Sequence, residues 1–133
     1  MIRVLSSFLV ALSLTAAALS QPTLIVSGLK MPESVAVGFG GKMYVSCIGE
    51  FGKDGDGAIL RIENGKALPF VAGLNDPKGL TIHQQWMFVT DKDRVVRIDA
   101  KGKTQEFVAA TAFPRKPIFL NDITADPESG TLY

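Results

Sequence analysis

A carboxylate, an ammonium and an amide recur at one place in a short stretch that the chain carries three times. The copies read Met31-Pro32-Glu33-Ser34-Val35-Ala36-Val37, Asp76-Pro77-Lys78-Gly79-Leu80-Thr81-Ile82 and Phe119-Leu120-Asn121-Asp122-Ile123-Thr124-Ala125. Aligning their apolar positions (Val35, Leu80 and Ile123; Val37, Ile82 and Ala125) puts Glu33, Lys78 and Asn121 in register. Glu33 is a hard oxygen ligand suited to Ca²⁺, Mg²⁺ or Mn²⁺, and the amide oxygen of Asn121 can join it. An ion held there polarises a carbonyl and lowers the pKa of a bound water. Lys78 is repulsive beside such an ion, so it either swings onto Glu33 or holds an anionic substrate. The bland alternative is a structural ion pair between Glu33 and Lys78, with Asn121-Asp122 capping a turn.

These residues need elements that bring them together. Residues 33–37, 43–48, 58–62 and 67–72 alternate or run apolar as strands, and Asn64-Gly65 is a two-residue hairpin turn with positive φ at both positions. Met43, Val45 and Cys47 fall on one face of the second strand, and Tyr44 and Ser46 on the other. Residues 79–83, 86–91, 95–99 and 105–109 repeat the grammar, with Ala100-Lys101-Gly102 as the matching turn. Trp86 and Phe88 alternate with Met87 and Val89, as large residues filling space between layers do. No stretch carries helical periodicity, and Val and Ile recur through the strand-like runs. Four strands in about 45 residues are one propeller blade. The expected fold is therefore an all-β propeller. Blade 1 spans residues 31–74, blade 2 spans 75–118, and the start of blade 3 spans 119–133. Residues 23–29 resemble residues 68–74, so 24–30 read as a closing strand for the outer edge of a last blade. Two blades and a fragment do not close a ring of about four to eight. The expectation is thus an N-terminal part of a longer protein.

In an up-and-down blade the first strand begins near the axis on one face of the disc. Glu33, Lys78 and Asn121 then ring the channel mouth. Residues 49–57 and 91–94 form its rim, joined by the connector 110–120. His83, the only histidine, falls in a turn on the opposite face.

The chain has 133 residues, 47% apolar and 20% charged, with a formal net charge of +1. That balance leaves no electrostatic footprint for nucleic acid. Residues 1–20 read as a signal peptide: Arg3 is the positive n-region, residues 4–19 the apolar h-region, and Ala18-Leu19-Ser20 sets cleavage before Gln21. The alternative, an uncleaved anchor, would be short for a span of about 20 residues. The mature chain is expected to be periplasmic or secreted, with no stable membrane anchor. Its single cysteine, Cys47, forms no internal disulfide and reads as a small buried apolar group.

The Pro-Glu-Ser at 32–34 resembles the opening of the first blade in the SMP-30/gluconolactonase/luciferin-regenerating-enzyme family. Leu120-Asn121-Asp122-Ile123-Thr124-Ala125-Asp126-Pro127 is similar to that family's third-blade Asn-Asp-Gly-x-x-Asp-Pro. The resemblance covers roughly residues 24–133. It implies a six-bladed propeller with one divalent cation on the axis (Ca²⁺, Mg²⁺, Mn²⁺ or Zn²⁺, Ca²⁺ favoured). It also implies that Glu33 is a metal ligand and that Asn121 binds substrate beside the metal. A later-blade Asn and the catalytic Asp would lie beyond Tyr133. The pattern departs where Val35 stands for proline and Ile123 for glycine. Asp76-Pro77-Lys78-Gly79-Leu80 reads more like NHL repeats, which mostly bind rather than catalyse.

Other motifs carry less. Asp54-Gly55-Asp56-Gly57 begins like a calcium loop but lacks its further acids and final glutamate, so a Gly-rich rim loop is expected. Such a loop suits a substrate lid. Residues 113–117 read as a stiff connector, and Asp91 and Asp93 as solvated turn acids. Two functions remain. One is an exported metal-dependent hydrolase of a sugar lactone or related ester, with Lys78 and Asn121 contacting substrate. The other is a non-catalytic exported propeller binding a protein or saccharide.

Overall fold

Period-two patterning dominates the computed structural model, which describes residues 21–133 and is all-β apart from two single 3-10 turns. The expected signal peptide and its cleavage point fall at or before the first described residue and lie outside what the structure describes. Eight strands make two four-stranded antiparallel sheets, each in simple sequence order. The first holds β1 (Pro32–Val37), β2 (Met43–Cys47), β3 (Gly57–Glu63) and β4 (Lys66–Leu74). The second holds β5 (Pro77–His83), β6 (Trp86–Asp91), β7 (Arg94–Ile98) and β8 (Thr104–Val108). Among the described residues, no helix is long and apolar enough to cross a membrane.

Turn chemistry fixes the hairpins. Asn64 (φ 51°) and Gly65 (φ 72°) link β3 to β4 with Glu63 paired to Lys66, the geometry an Asn-Gly hairpin needs. Asp99 closes the β7–β8 link by accepting the N–H groups of Lys101 (2.8 Å) and Lys103 (2.9 Å).

The sheets stack face to face, and the side-chain alternation decides which layer each residue enters. Tyr44, Ile59, Val71 and Leu74 from the first sheet meet Leu80, Met87, Val89, Val96 and Ile98 from the second. Tyr44 is wedged edge-on against Phe39 and Phe70. The opposite face of the first sheet carries Val45, Cys47 and Ile62, covered by Val26 and Leu29. The opposite face of the second carries Phe88 and Val95, covered by Phe113, Leu120, Ile123 and Leu132. Burial pushes the Cys47 thiol above its ordinary value. It is packed as a small apolar group.

Two expected strands differ. Residues 21–29 hold no strand. Val26 and Leu29, three residues apart, are partly buried against the first sheet, yet no ladder of described residues receives their backbone. Apolar side chains anchor the segment; only a partner edge would make it a strand. Residues 121–126 are reduced to a single bridge, Ala125 to Leu132, flanked by reciprocal bonds between Thr124 and Tyr133.

Candidate functional site

Two of the three recurrent positions, Glu33 and Lys78, owe their equivalence to one backbone irregularity. In the first sheet Pro32 pairs with Cys47 and Val35 with Val45, so Glu33 and Ser34 together oppose Ser46. In the second sheet Pro77 pairs with Asp91 and Leu80 with Val89, so Lys78 and Gly79 together oppose Thr90. Two residues against one is a β-bulge, which bends the strand and re-aims a side chain. Glu33 and Lys78 occupy the same bulge position.

The hydroxyl facing each bulge ties it to the next copy. Ser46 Oγ accepts the Ser34 N–H at 3.0 Å and donates to the Lys78 carbonyl at 2.6 Å. Thr90 Oγ1 donates to the Asn121 carbonyl at 3.1 Å, which also takes the Gly79 N–H at 2.8 Å. Each copy is thus tied to the next, Ser34 to Lys78 through Ser46 and the Lys78-Gly79 bulge to Asn121 through Thr90 and the Gly79 N–H. Gly79 is needed there. A Cβ on it would stand 2.7 Å from the backbone of Asp122 and Ile123. Removing the Ser46 hydroxyl strands a buried N–H and a buried carbonyl, so Ser46→Ala is expected to cost about 1–2 kcal/mol in urea unfolding. Unchanged stability would show the link to be held by strand pairing alone.

The environments of the three side chains diverge. Glu33 is exposed beside a shallow groove of about 250 Å³ lined by Leu29, Pro32, Ser34, Val35 and Val45. Asn121 is exposed, its main chain held and its amide in solvent. Lys78 is 5% exposed, and its ammonium meets no hydrogen-bond acceptor among the described residues. Instead Nζ lies 5.2 Å from the Phe51 ring centre and 5.1 Å from that of Phe119. Glu33 and Lys78 do not form the ion pair that the sequence left open; the described ion pairs involve other residues.

The segments expected to form a rim do converge. Lys92 Nζ reaches Asp54 at 2.6 Å, the Leu120 N–H donates to the Lys92 carbonyl, and Lys116 pairs with Asp93 at 3.3 Å. The Asp54 hydrogen bond holds the Lys92 ammonium above its ordinary value. The Gly52 N–H donates to Asp76 Oδ1 at 3.0 Å, fastening the loop of residues 49–57 to the entry of β5. Asp54 and Asp56 are engaged with Lys92, Lys30 and the Glu50 N–H, as fits a rim loop. His83 ends β5 away from this region, against Gly130.

Three features escaped the sequence reading. Asp91 is not a solvated turn acid: it is fully buried, with Oδ1 accepting the Asn75 N–H (2.7 Å) and Asp76 N–H (3.2 Å) and Oδ2 gripped by Arg94. The Ser46/Thr90 clamp was visible only as two hydroxyl residues one repeat apart. The Phe51–Lys78–Phe119 stack joins three segments distant in the chain and left no local signal. Among the described residues no group of three His, Cys, Asp or Glu side chains is placed to hold a metal ion. Neither a model of a known protein family nor a curated protein matches the chain.

Proposed function

We propose that the two sheets are successive blades of a β-propeller and that its ligand site lies at the end of the sheets where Glu33 and Lys78 enter their strands and Asn121 is anchored beside β5. The proposal needs further such sheets around the same axis, about four to eight in all. The observation that carries it is the shared bulge: it puts chemically different side chains at one structural position while the clamp beneath them stays constant. A framework that repeats while its bulge side chains vary suits a site better than a core.

Glu33 fits a hard divalent cation, Ca²⁺ before Mg²⁺, Mn²⁺ or Zn²⁺. Its carboxylate is exposed and engages no described cation or N–H donor, and the exposed Asn121 amide offers a neutral oxygen of the same hardness. The bound ion would supply Lewis-acid polarisation of an ester carbonyl. Lys78 and Asn121 bind the substrate, a sugar lactone or related ester, in an exported hydrolase of the gluconolactonase-like type. In calorimetric titration with Ca²⁺, Glu33→Gln is expected to bind at least about tenfold more weakly, since a neutral amide replaces the charged ligand. Full retention of affinity would remove Glu33 from the metal site.

A second reading, a non-catalytic propeller that binds a protein or saccharide, draws on the two phenyl rings at the same end. Phe51 is 62% and Phe119 51% exposed over the same ammonium, and a partner that covers the two rings would bury apolar surface there. Gluconolactone hydrolysis that is lost in Glu33→Gln separates the hydrolase from the binder.

A further inference from the structure

We infer that Lys78 and the two rings over it form a gated receptor for the carboxylate of an anionic ligand. The inference rests on the reading of this end of the sheets as a ligand site and adds the charge of the ligand and the part that opens.

An ammonium gives up its hydration when buried, and a protein normally returns a carboxylate or carbonyl oxygens in exchange. Among the described residues Lys78 receives neither: it is 5% exposed, without an acceptor, and faces the π-surfaces of Phe51 and Phe119. Ring faces compensate a cation in part and leave its three donors unused. The acids of the neighbouring strand entry are engaged elsewhere. Asp76 takes the Gly52 N–H, and Asp91 takes two backbone N–H groups and Arg94. The unmatched charge is therefore positive, single and covered by hydrocarbon. A carboxylate is the complement that satisfies its donors and its charge at once.

The cover is hinged at side chains. Residues 49–57 are fastened through Gly52 to Asp76 and through Asp54 to Lys92, and residue 120 is fastened to Lys92. The backbone on either side of the rings is thus held, while both rings are more than half exposed on their outer sides. Rotation of Phe51 about its side-chain bonds uncovers Nζ without unfastening the loop. That is a fast, local motion. The ligand class is a small monocarboxylate, one negative charge matched to one ammonium.

The test is an NMR titration of the full-length protein, without added metal, following the Lys78 ζ-ammonium resonance. Sodium gluconate is the probe, with glucose as its neutral counterpart and inorganic phosphate as a second anion. The expected result is a saturable shift with gluconate and none with glucose. Lys78→Met, checked for folding by circular dichroism, should bind gluconate about tenfold or more weakly. Phe51→Ala should raise the association rate several-fold. An unmoved Lys78 resonance, a response to phosphate alone, or unchanged gluconate affinity in Lys78→Met overturns the inference. An unchanged association rate in Phe51→Ala overturns the gate. Calcium titration of the same protein keeps the readings apart: Glu33-dependent Ca²⁺ binding with no gluconate response sinks this inference alone, whereas loss of both sinks the ligand site itself.

Discussion

Asp91→Ala is expected to lower stability by about 3–5 kcal/mol in urea unfolding, because it empties the most heavily used buried carboxylate among the described residues. The side chain is fully buried. Its Oδ1 holds the N–H groups of Asn75 and Asp76, and its Oδ2 holds Arg94 Nε at 3.1 Å and Nη2 at 2.9 Å. Truncation leaves two backbone donors without their acceptor and the part-exposed Arg94 guanidinium with only its longer contact to Glu106 (3.8 Å), and each buried donor left unpaired carries its own desolvation cost. Asp91→Asn keeps one oxygen for the two N–H groups but turns an amide towards Arg94, so its loss should be intermediate. The pair of variants separates the turn-holding oxygen from the ion pair. Because Asn75 and Asp76 lead directly into Pro77 and Lys78, the alanine variant should also disturb the entry of β5. A loss below about 1 kcal/mol would mean that the link between the sheets is held by other contacts.

The contrast with the first sheet shows what kind of feature Asp91 is. Cys47 occupies its position there, paired with Pro32 as Asp91 is paired with Pro77. The backbone bond that crosses the strand entry is kept in both sheets, Ile48 N–H to Met31 and Lys92 N–H to Asp76. The carboxylate belongs only to the second, where the chain must pass from β4 into β5 and expose the N–H groups of residues 75 and 76. One repeat position is thus a small packed thiol and the other a buried anion, and the difference follows from the link each must fasten.

This explains how far the sequence could be read. Alternation told the faces of β2 and β6 apart because each face meets a different apolar layer: Tyr44 and Met87 between the sheets, Val45 and Phe88 outside them. Asn64-Gly65 declared its turn because positive φ at both positions is a local demand. The equivalence of Glu33 and Lys78 was legible as a period, and the paired bulges give it a physical basis. Residues 23–29 misled because only Val26 and Leu29 pack against the sheet while Leu24 and Ile25 stay exposed, and a strand also requires a backbone partner. Asp91-Lys92-Asp93-Arg94 looked like a solvated polar turn, since nothing in four charged residues announces that one is covered by a link fifteen residues earlier. Lys78 could be placed, but its surroundings could not. Phe51 lies in a Gly-rich loop without period and Phe119 in a connector, and only tertiary folding stacks them on one ammonium.

That stack sets the second large expectation, in the opposite direction from the first. Lys78→Met should stabilise the protein by about 2–3 kcal/mol. Methionine keeps the length and flexibility of the lysine stem, fills the same space against Phe51 and Phe119, and makes favourable sulfur–aromatic contacts. It removes a charge whose burial costs several kcal/mol, against about 0.5–2 kcal/mol returned by a ring face. Replacing buried charge with apolar volume is commonly stabilising for this reason. The gain should shrink in a Phe51→Ala background, where the ammonium regains water and has less burial cost to relieve. A double-mutant cycle with urea midpoints reads that coupling. A destabilised Lys78→Met would show that the ammonium has an acceptor in the folded protein and that its burial is structural. A stabilised variant identifies Lys78 as a residue kept against the interest of the fold, which is how binding groups commonly stand in a protein.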